Sequence, residues 1–176
     1  MLALETFEEM MLWQKDNIDG ITKHAEVASS MGNIQKSLFS YERVIQLGED
    51  SVNIRIGLGS LFYNDGNHRK ALHHFQIAWE IYMSAKGTKD DGEYNESYIL
   101  HRLGRCHKEM SETDKAKDSL EQALKLNPAS KEIMMDLAAV LMANGKHGIH
   151  GIVYHTLGFY ICLYLSICLF LYCFTH

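Results

Sequence analysis

Ten histidines and four cysteines are the side chains of this 176-residue chain that could ligate a metal or attack a substrate. A zinc site needs ligands that converge at tight spacing. His73 and His74 are adjacent, so on a helix they point in different directions, and His101 and His107 do not share a face. His147, His150 and His155 have no carboxylate near them. Cys106, Cys162, Cys168 and Cys173 form no Cys-x-x-Cys pair, and the chain is not a small disulfide scaffold. Gly57-Leu58-Gly59 is too short to cradle a phosphate, and Asp90-Asp91-Gly92 lacks the alternating ligands of a calcium loop. There is no Gly-x-Ser-x-Gly and no His-Glu-x-x-His. The expectation is no enzyme, no metal and no cofactor, with the histidines on the surface or in packing.

The elements that carry these residues follow from composition. Pro128 is the sole proline and hydrophobic residues make up 47%, which points to long helices around a packed core. Seventeen Lys and Arg stand against 22 Asp and Glu, a net charge of −5, so nucleic acid is not an expected partner. Every one of these charged residues lies within 1–146, and 147–176 contains none. The N-terminus lacks a basic stretch followed by an apolar run, so no secretory signal is expected and 1–146 reads as cytoplasmic.

The charged part repeats itself. Leu58-Gly59 is followed by Ala71, Phe75 and Ala78; Leu103-Gly104 is followed at the same spacings by Ala116, Leu120 and Ala123, then Pro128. A weaker copy carries His24-Ala25, Ser37, Tyr41 and Val44, and a fourth offers Leu137-Ala138. Repeat starts fall at Ile18, Val52, Ser97 and Lys131, spaced by 34, 45 and 34, the longer step being 34 plus an 11-residue charged insert at 86–96. Gly32, Gly66 and Gly145 share one offset, with Ser111 in the third copy, where a helix must end and turn. Apolar residues form helical stripes: Ile99, Leu100, Leu103, Cys106 and Met110, then Ala116, Leu120, Ala123 and Leu124. No helix pair of this kind buries its apolar face alone, so stability comes from stacked neighbours.

The 34-residue period, the Leu-Gly, the Ala-x-x-x-Phe/Leu-x-x-Ala and the Leu-Asn-Pro resemble tetratricopeptide repeats. Residues 97–130 match best, with His107 where an aromatic is usual. The 52–85 copy departs at Arg55, where a large apolar residue is usual, and the 18–51 copy at Ser37, where Ala is usual. The resemblance implies an all-α fold, a right-handed solenoid of antiparallel helix pairs. It reads 1–17 as the second helix of an incomplete repeat and 131–146 as the first helix of another. It also implies a scaffold or adaptor that binds protein or peptide partners on a concave groove lined by the first helix of each pair. By offset, that groove presents Asp19, Thr22 and Glu26, then Asn53, Ile56, Ser60, Tyr63 and Asn64, then Tyr98, His101, Arg102, Arg105 and Lys108. Arg102, Arg105 and Lys108 on one helix suit an acidic segment; the alternative is a solvated face paired to Glu109 or Glu112. Members that hold acidic chaperone C-termini use a Lys and an Asn, an Asn, and a Lys and an Arg at offsets where this chain has Thr22, Glu26, Gly57, Tyr98 and Arg102. Only Arg102 fits, so such tails are not expected to bind.

Both ends of the chain fall inside a repeat, which reads as part of a longer repeat protein, the alternative being half-repeats that act as caps. Leu157 to Phe174 has only Gly158 and Ser166 outside the apolar set. As a helix it would span about 27 Å, a bilayer core. Residues 149–175 therefore read either as a C-terminal anchor at the cytosolic face of a membrane or as read-through sequence prone to aggregate.

Overall fold

The computed structural model describes residues 16–85 and 95–143. Among these residues there are seven helices and no strand. They are α1 (Ile18–Ser30), α2 (Ile34–Gln46), α3 (Val52–Asn64), α4 (His68–Ala85), α5 (Glu96–Glu109), α6 (Thr113–Leu126) and α7 (Lys131–Ala143). Most of 1–17, the body of the 86–96 insert and the apolar 147–176 lie outside the described residues. Among those described, no helix is long and apolar enough to cross a membrane.

Four of the seven helix starts are written by amide side chains. Asn17 accepts from the Gly20 amide, Asn33 from Lys36, Asn67 from Lys70 and Asn95 from Tyr98. The turn from α1 to α2 recurs from α3 to α4 and from α5 to α6. In each, an amide three residues past the helix bonds back across the turn: Asn33 to Ala28, Asn67 to Phe62, Glu112 to His107. The residue before that donor takes a left-handed φ: +74° at Gly32, +79° at Gly66 and +60° at Ser111. Ser111 thus holds a conformation that glycine adopts without steric cost.

Consecutive helices pack in order, and the core is a row. One cluster runs from Ile21 and Ala25 in α1 through Tyr41, Ile54, Leu58, Phe62 and Phe75 to Ile99, Leu103 and Cys106 in α5. A second joins Leu100, Ala116, Leu120 and Ala123 to Ile133, Leu137 and Val140, and Trp79 packs against both. Close helix approach requires Gly59 and Gly104. A Cβ on Gly59 would lie 2.6 Å from the Phe75 ring, and one on Gly104 would lie 2.7 Å from Leu120 Cγ.

The three departures from the repeat pattern each have a local cause. Ser37 is fully buried and donates its hydroxyl to the Ala25 carbonyl at 2.8 Å. Arg55 grips the exposed Asp50 carboxylate with Nε at 2.6 Å and a second bond from Nη2, while its aliphatic stem lies inside. His107 bonds through Nδ1 to Glu112 at 2.6 Å, tying the end of α5 to the residue that opens α6.

Candidate functional site

The first helices α1, α3, α5 and α7 carry the candidate residues, and the structure divides them. Asn53 and Asn64 stand exposed on α3, and Tyr63 is half-buried. Ile56 is a correction. It is 2% exposed within the cluster that includes Ile99 and Leu103 of α5, so it belongs to the core and presents nothing to a ligand. His101 is likewise 6% exposed. Its Nε2 lies 2.8 Å from Asp136 Oδ2 of α7, under that carboxylate. His101 is thus covered by the next first helix of the stack, while Ile56 is enclosed in the core cluster.

Two guanidinium groups are held against aromatic rings. Arg102 sits 4.8 Å from the centre of the Tyr98 ring, one turn back, and donates from Nη2 to the Tyr98 hydroxyl at 2.6 Å. Arg105 sits 4.7 Å from the centre of the Tyr63 ring, across from α5 to α3. Such stacking fixes a flexible cation at little further entropic loss when it binds. Burial raises the Tyr63 phenol above its ordinary value against the pull of Arg105, so the hydroxyl stays protonated and donates to Glu109 at 3.3 Å.

The third cation is spoken for. Lys108 donates to Asp136 Oδ1, and Arg105 Nε lies 3.7 Å from Asp136 Oδ2. One carboxylate therefore gathers His101, Arg105 and Lys108. Burial alone would push the Asp136 carboxyl up; the hydrogen bonds from Lys108 and His101 outweigh it and leave the carboxyl below its ordinary value. Lys108 lies only 3.9 Å from Glu109, and Glu112 pairs with His107 and Lys115 instead. Arg102 is different: among the described residues no carboxylate pairs with it, and its Nε is buried with no hydrogen-bond partner. Sequence reasoning missed Asp136. The signal was present, since Asp136 occupies in the fourth copy the offset that Arg102 occupies in the third.

At the other end, Asp16, Asp19, Thr22, Glu49 and Asn53 line an open pocket of about 620 Å³. The Thr22 hydroxyl donates to the Ile18 carbonyl and Glu26 pairs with Lys23 at 2.8 Å. The face is thus acidic at α1 and basic at α5. No group of three or more His, Cys, Asp and Glu among the described residues is arranged to hold a metal ion. Burial pushes the Cys106 thiol up to about 12, which leaves it protonated and unreactive.

Comparison with known proteins places this arrangement. A tetratricopeptide repeat family model matches residues 97–130. The photosystem I assembly protein Ycf3 of Acaryochloris marina (strain MBIC 11017) is 30% identical over 107 residues, which are 55% of this chain and 62% of that protein. The chain thus spans less than two thirds of that relative. Among solved structures, MamA aligns at TM-score 0.69 with 16% identity over 81% of this chain and 77% of its own. YrrB, described as a repeat protein with an unusual peptide-binding site, aligns at 0.64 with 17% identity over 81% of this chain and 68% of its own. The first repeat domain of Spaghetti (RPAP3), bound to an HSP90 peptide, aligns at 0.63 with 13% identity over 73% of this chain and 94% of its own. At these identities the structural likeness speaks for fold. Residues 97–130 thus match a tetratricopeptide repeat, and the helical solenoid around them shares the fold of these repeat proteins.

Proposed function

We propose that the chain is a non-catalytic scaffold that binds a protein segment on the face formed by α3 and α5, and that the segment is acidic. The observation that carries this is the pair of stacked guanidinium groups, above all Arg102, which is fixed on Tyr98 and has no carboxylate partner among the described residues. Asn53 and Asn64 flank it as exposed amides, and Tyr63 and Tyr98 offer ring surface. Arg105 and Lys108 already share Asp136, so they contribute field more than direct contacts. The likeness to an assembly protein and to a domain bound to a peptide supports a partner-binding role. The test is titration of the full chain with a fluorescein-labelled hexaglutamate peptide. Arg102→Gln should weaken binding about tenfold. Equal binding of a hexaglutamine peptide refutes the proposal.

Acidic chaperone tails are excluded from this reading. Glu26 would repel a terminal carboxylate. An Asn at Gly57 would drive its Cβ into the Tyr41 ring, 2.5 Å away, so the second clamp asparagine has no room. Calorimetric titration with a chaperone C-terminal peptide should give no heat of binding at micromolar concentration. The apolar composition of 157–174 favours a second reading, a scaffold held at the cytosolic side of a membrane. Release of the chain from membranes by alkaline carbonate would defeat it.

A further inference from the structure

The three turns that join a first helix to its second share one backbone shape but not one chemistry. After α1 the turn carries Gly32 and Asn33, and after α3 it carries Gly66 and Asn67. In both, the glycine takes the left-handed φ without steric cost, and the asparagine side chain accepts an amide of the following helix. After α5 the same two places hold Ser111 and Glu112. Ser111 sits at φ +60°. Glu112 makes no side-chain cap bond to α6, and its carboxylate pairs with His107 and Lys115 instead. This turn therefore carries the steric cost of a Cβ and leaves the first amides of α6 without a side-chain acceptor. The Ser111 hydroxyl offsets neither. It is exposed and has no hydrogen-bond partner among the described residues.

We infer that Ser111 is a phosphorylation site for an acid-directed protein serine kinase, and that its phosphate regulates the face formed by α3 and α5. The regulation rests on the acidic-segment reading above; the modification does not. The flanking residues supply the address. Glu109 lies two residues before Ser111, Glu112 one after and Asp114 three after, and Glu109 and Asp114 are exposed. Three carboxylates around one hydroxyl complement a kinase whose substrate groove is basic. Lys108, three residues before, is already tied to Asp136. Local structure supplies access. A strained residue beside a helix start without a side-chain cap is a point of low local stability, so this turn opens into an extended segment at less cost than the two Gly-Asn turns.

The step is phosphoryl transfer from ATP. Ser111 Oγ bonds to the γ-phosphorus as the bond from that phosphorus to its bridging oxygen breaks; ADP leaves, and the hydroxyl proton passes to the base of the kinase. The product suits the turn. Phosphoserine carries about −1.5 to −2 charge and lies two residues ahead of α6, at the positive end of that helix. Lys115, in the first turn of α6, has a side chain 67% exposed and free to swing toward it. The same charge works against an acidic ligand. Ser111 follows Arg105 by six residues, about 10 Å along α5. At that range, and at an effective dielectric constant of about 40–80, the phosphate should weaken binding of an acidic segment about three- to tenfold.

The test is incubation of the full chain with casein kinase II and magnesium ATP, then intact-mass measurement and fragment-ion mapping. One phosphate on Ser111 is expected. Ser111→Gly should take none and keep its helical circular dichroism, because glycine relieves the φ. Asp114→Asn should slow incorporation severalfold. The phosphorylated chain should bind fluorescein-labelled hexaglutamate about three- to tenfold more weakly than the unmodified chain, with the difference shrinking in high salt. No incorporation, equal incorporation by Ser111→Gly, or phosphate mapped to Thr113 or Ser119 instead overturns the site. Phosphate on Ser111 with unchanged hexaglutamate binding overturns the regulation. If the unmodified chain does not bind hexaglutamate, the acidic-segment reading and the regulation fall together, while phosphate on Ser111 still upholds the modification.

Discussion

Replacing Asp136 by Asn should move stability and acidic-peptide binding in opposite directions. The carboxylate takes a hydrogen bond from Lys108 and another from His101 at 2.8 Å, and its side chain is 19% exposed. Hydrogen bonds to charged groups contribute about 1.5–3 kcal/mol, and Asn keeps the shape and one acceptor oxygen, so the loss should be about 1–2 kcal/mol. For a chain of this size that lowers Tm by roughly 3–6 °C. The same change removes one negative charge from the neighbourhood of Arg102 and Arg105. At about 8–10 Å and an effective dielectric constant of about 40–80, that charge repels a bound carboxylate by about 0.5–1 kcal/mol, so hexaglutamate should bind about two- to fivefold tighter. The gain should fade in high salt. The stability difference also has a pH signature. A carboxyl held below its ordinary value of 3.8 adds stability above that value and loses it as pH falls through the lowered one. The melts of variant and wild type should therefore differ at neutral pH and converge below pH 4. Urea melts with anisotropy at two salt concentrations decide the matter. If stability and binding fall together, Asp136 is a strut for the ligand and the electrostatic reasoning is wrong.

Three further outcomes are expected. Gly104→Ala sets a methyl carbon 2.7 Å from Leu120 Cγ and 3.3 Å from the Ala116 carbonyl; overpacking of about 1–3 kcal/mol exceeds the roughly 1 kcal/mol gained in helix propensity, so Tm should fall by several degrees in thermal circular dichroism. Ser111→Gly relieves a φ of +60° and should raise stability by about 0.5–1 kcal/mol, read from the urea midpoint. His74 stacks on Phe62 and lies 3.3 Å from Arg55 Nη1; burial, then Arg55, lowers it from 6.5 to about 4. The unfolded chain takes that proton first, so wild type should weaken from pH 6.5 down to about 4. His74→Gln should remove about 1–2 kcal/mol of that decline after allowance for partial exposure. An unchanged slope would show that His74 is not the group responsible.

Helix content was legible in the sequence because it follows from local rules. The left-handed turn marked by Gly32, Gly66 and Ser111 is set by spacing alone, and the structure gives all three a positive φ. The small positions Gly59 and Gly104 announce close approach, and their aromatic or leucine partners follow at fixed spacing. The candidate face was legible in part. Arg102, Arg105, Tyr63 and Tyr98 could be named by offset, but their pairing across α3 and α5 could not, because it depends on how one repeat is rotated against the next. That rotation also hides Ile56 and His101. Their offset is open on an isolated helix and closed off in the packed stack, where both are buried. Asp136 is not legible from the α1, α3 and α5 offsets because the neutralising charge stands on the fourth first helix.

Helix α5 belongs to both halves of the core. Ile99, Leu103 and Cys106 face one cluster and Leu100 faces the other. A row of stacked units can melt from its ends, each unit coupled only to its neighbours. Here the unit that carries Arg102 is the one in which both melting fronts must meet. A ligand that binds only the intact face stabilises it in proportion to RT ln(1 + [L]/Kd), and through α5 that free energy reaches both fronts at once. Occupancy should then sharpen the melt as well as shift it, turning fraying at two ends into one transition.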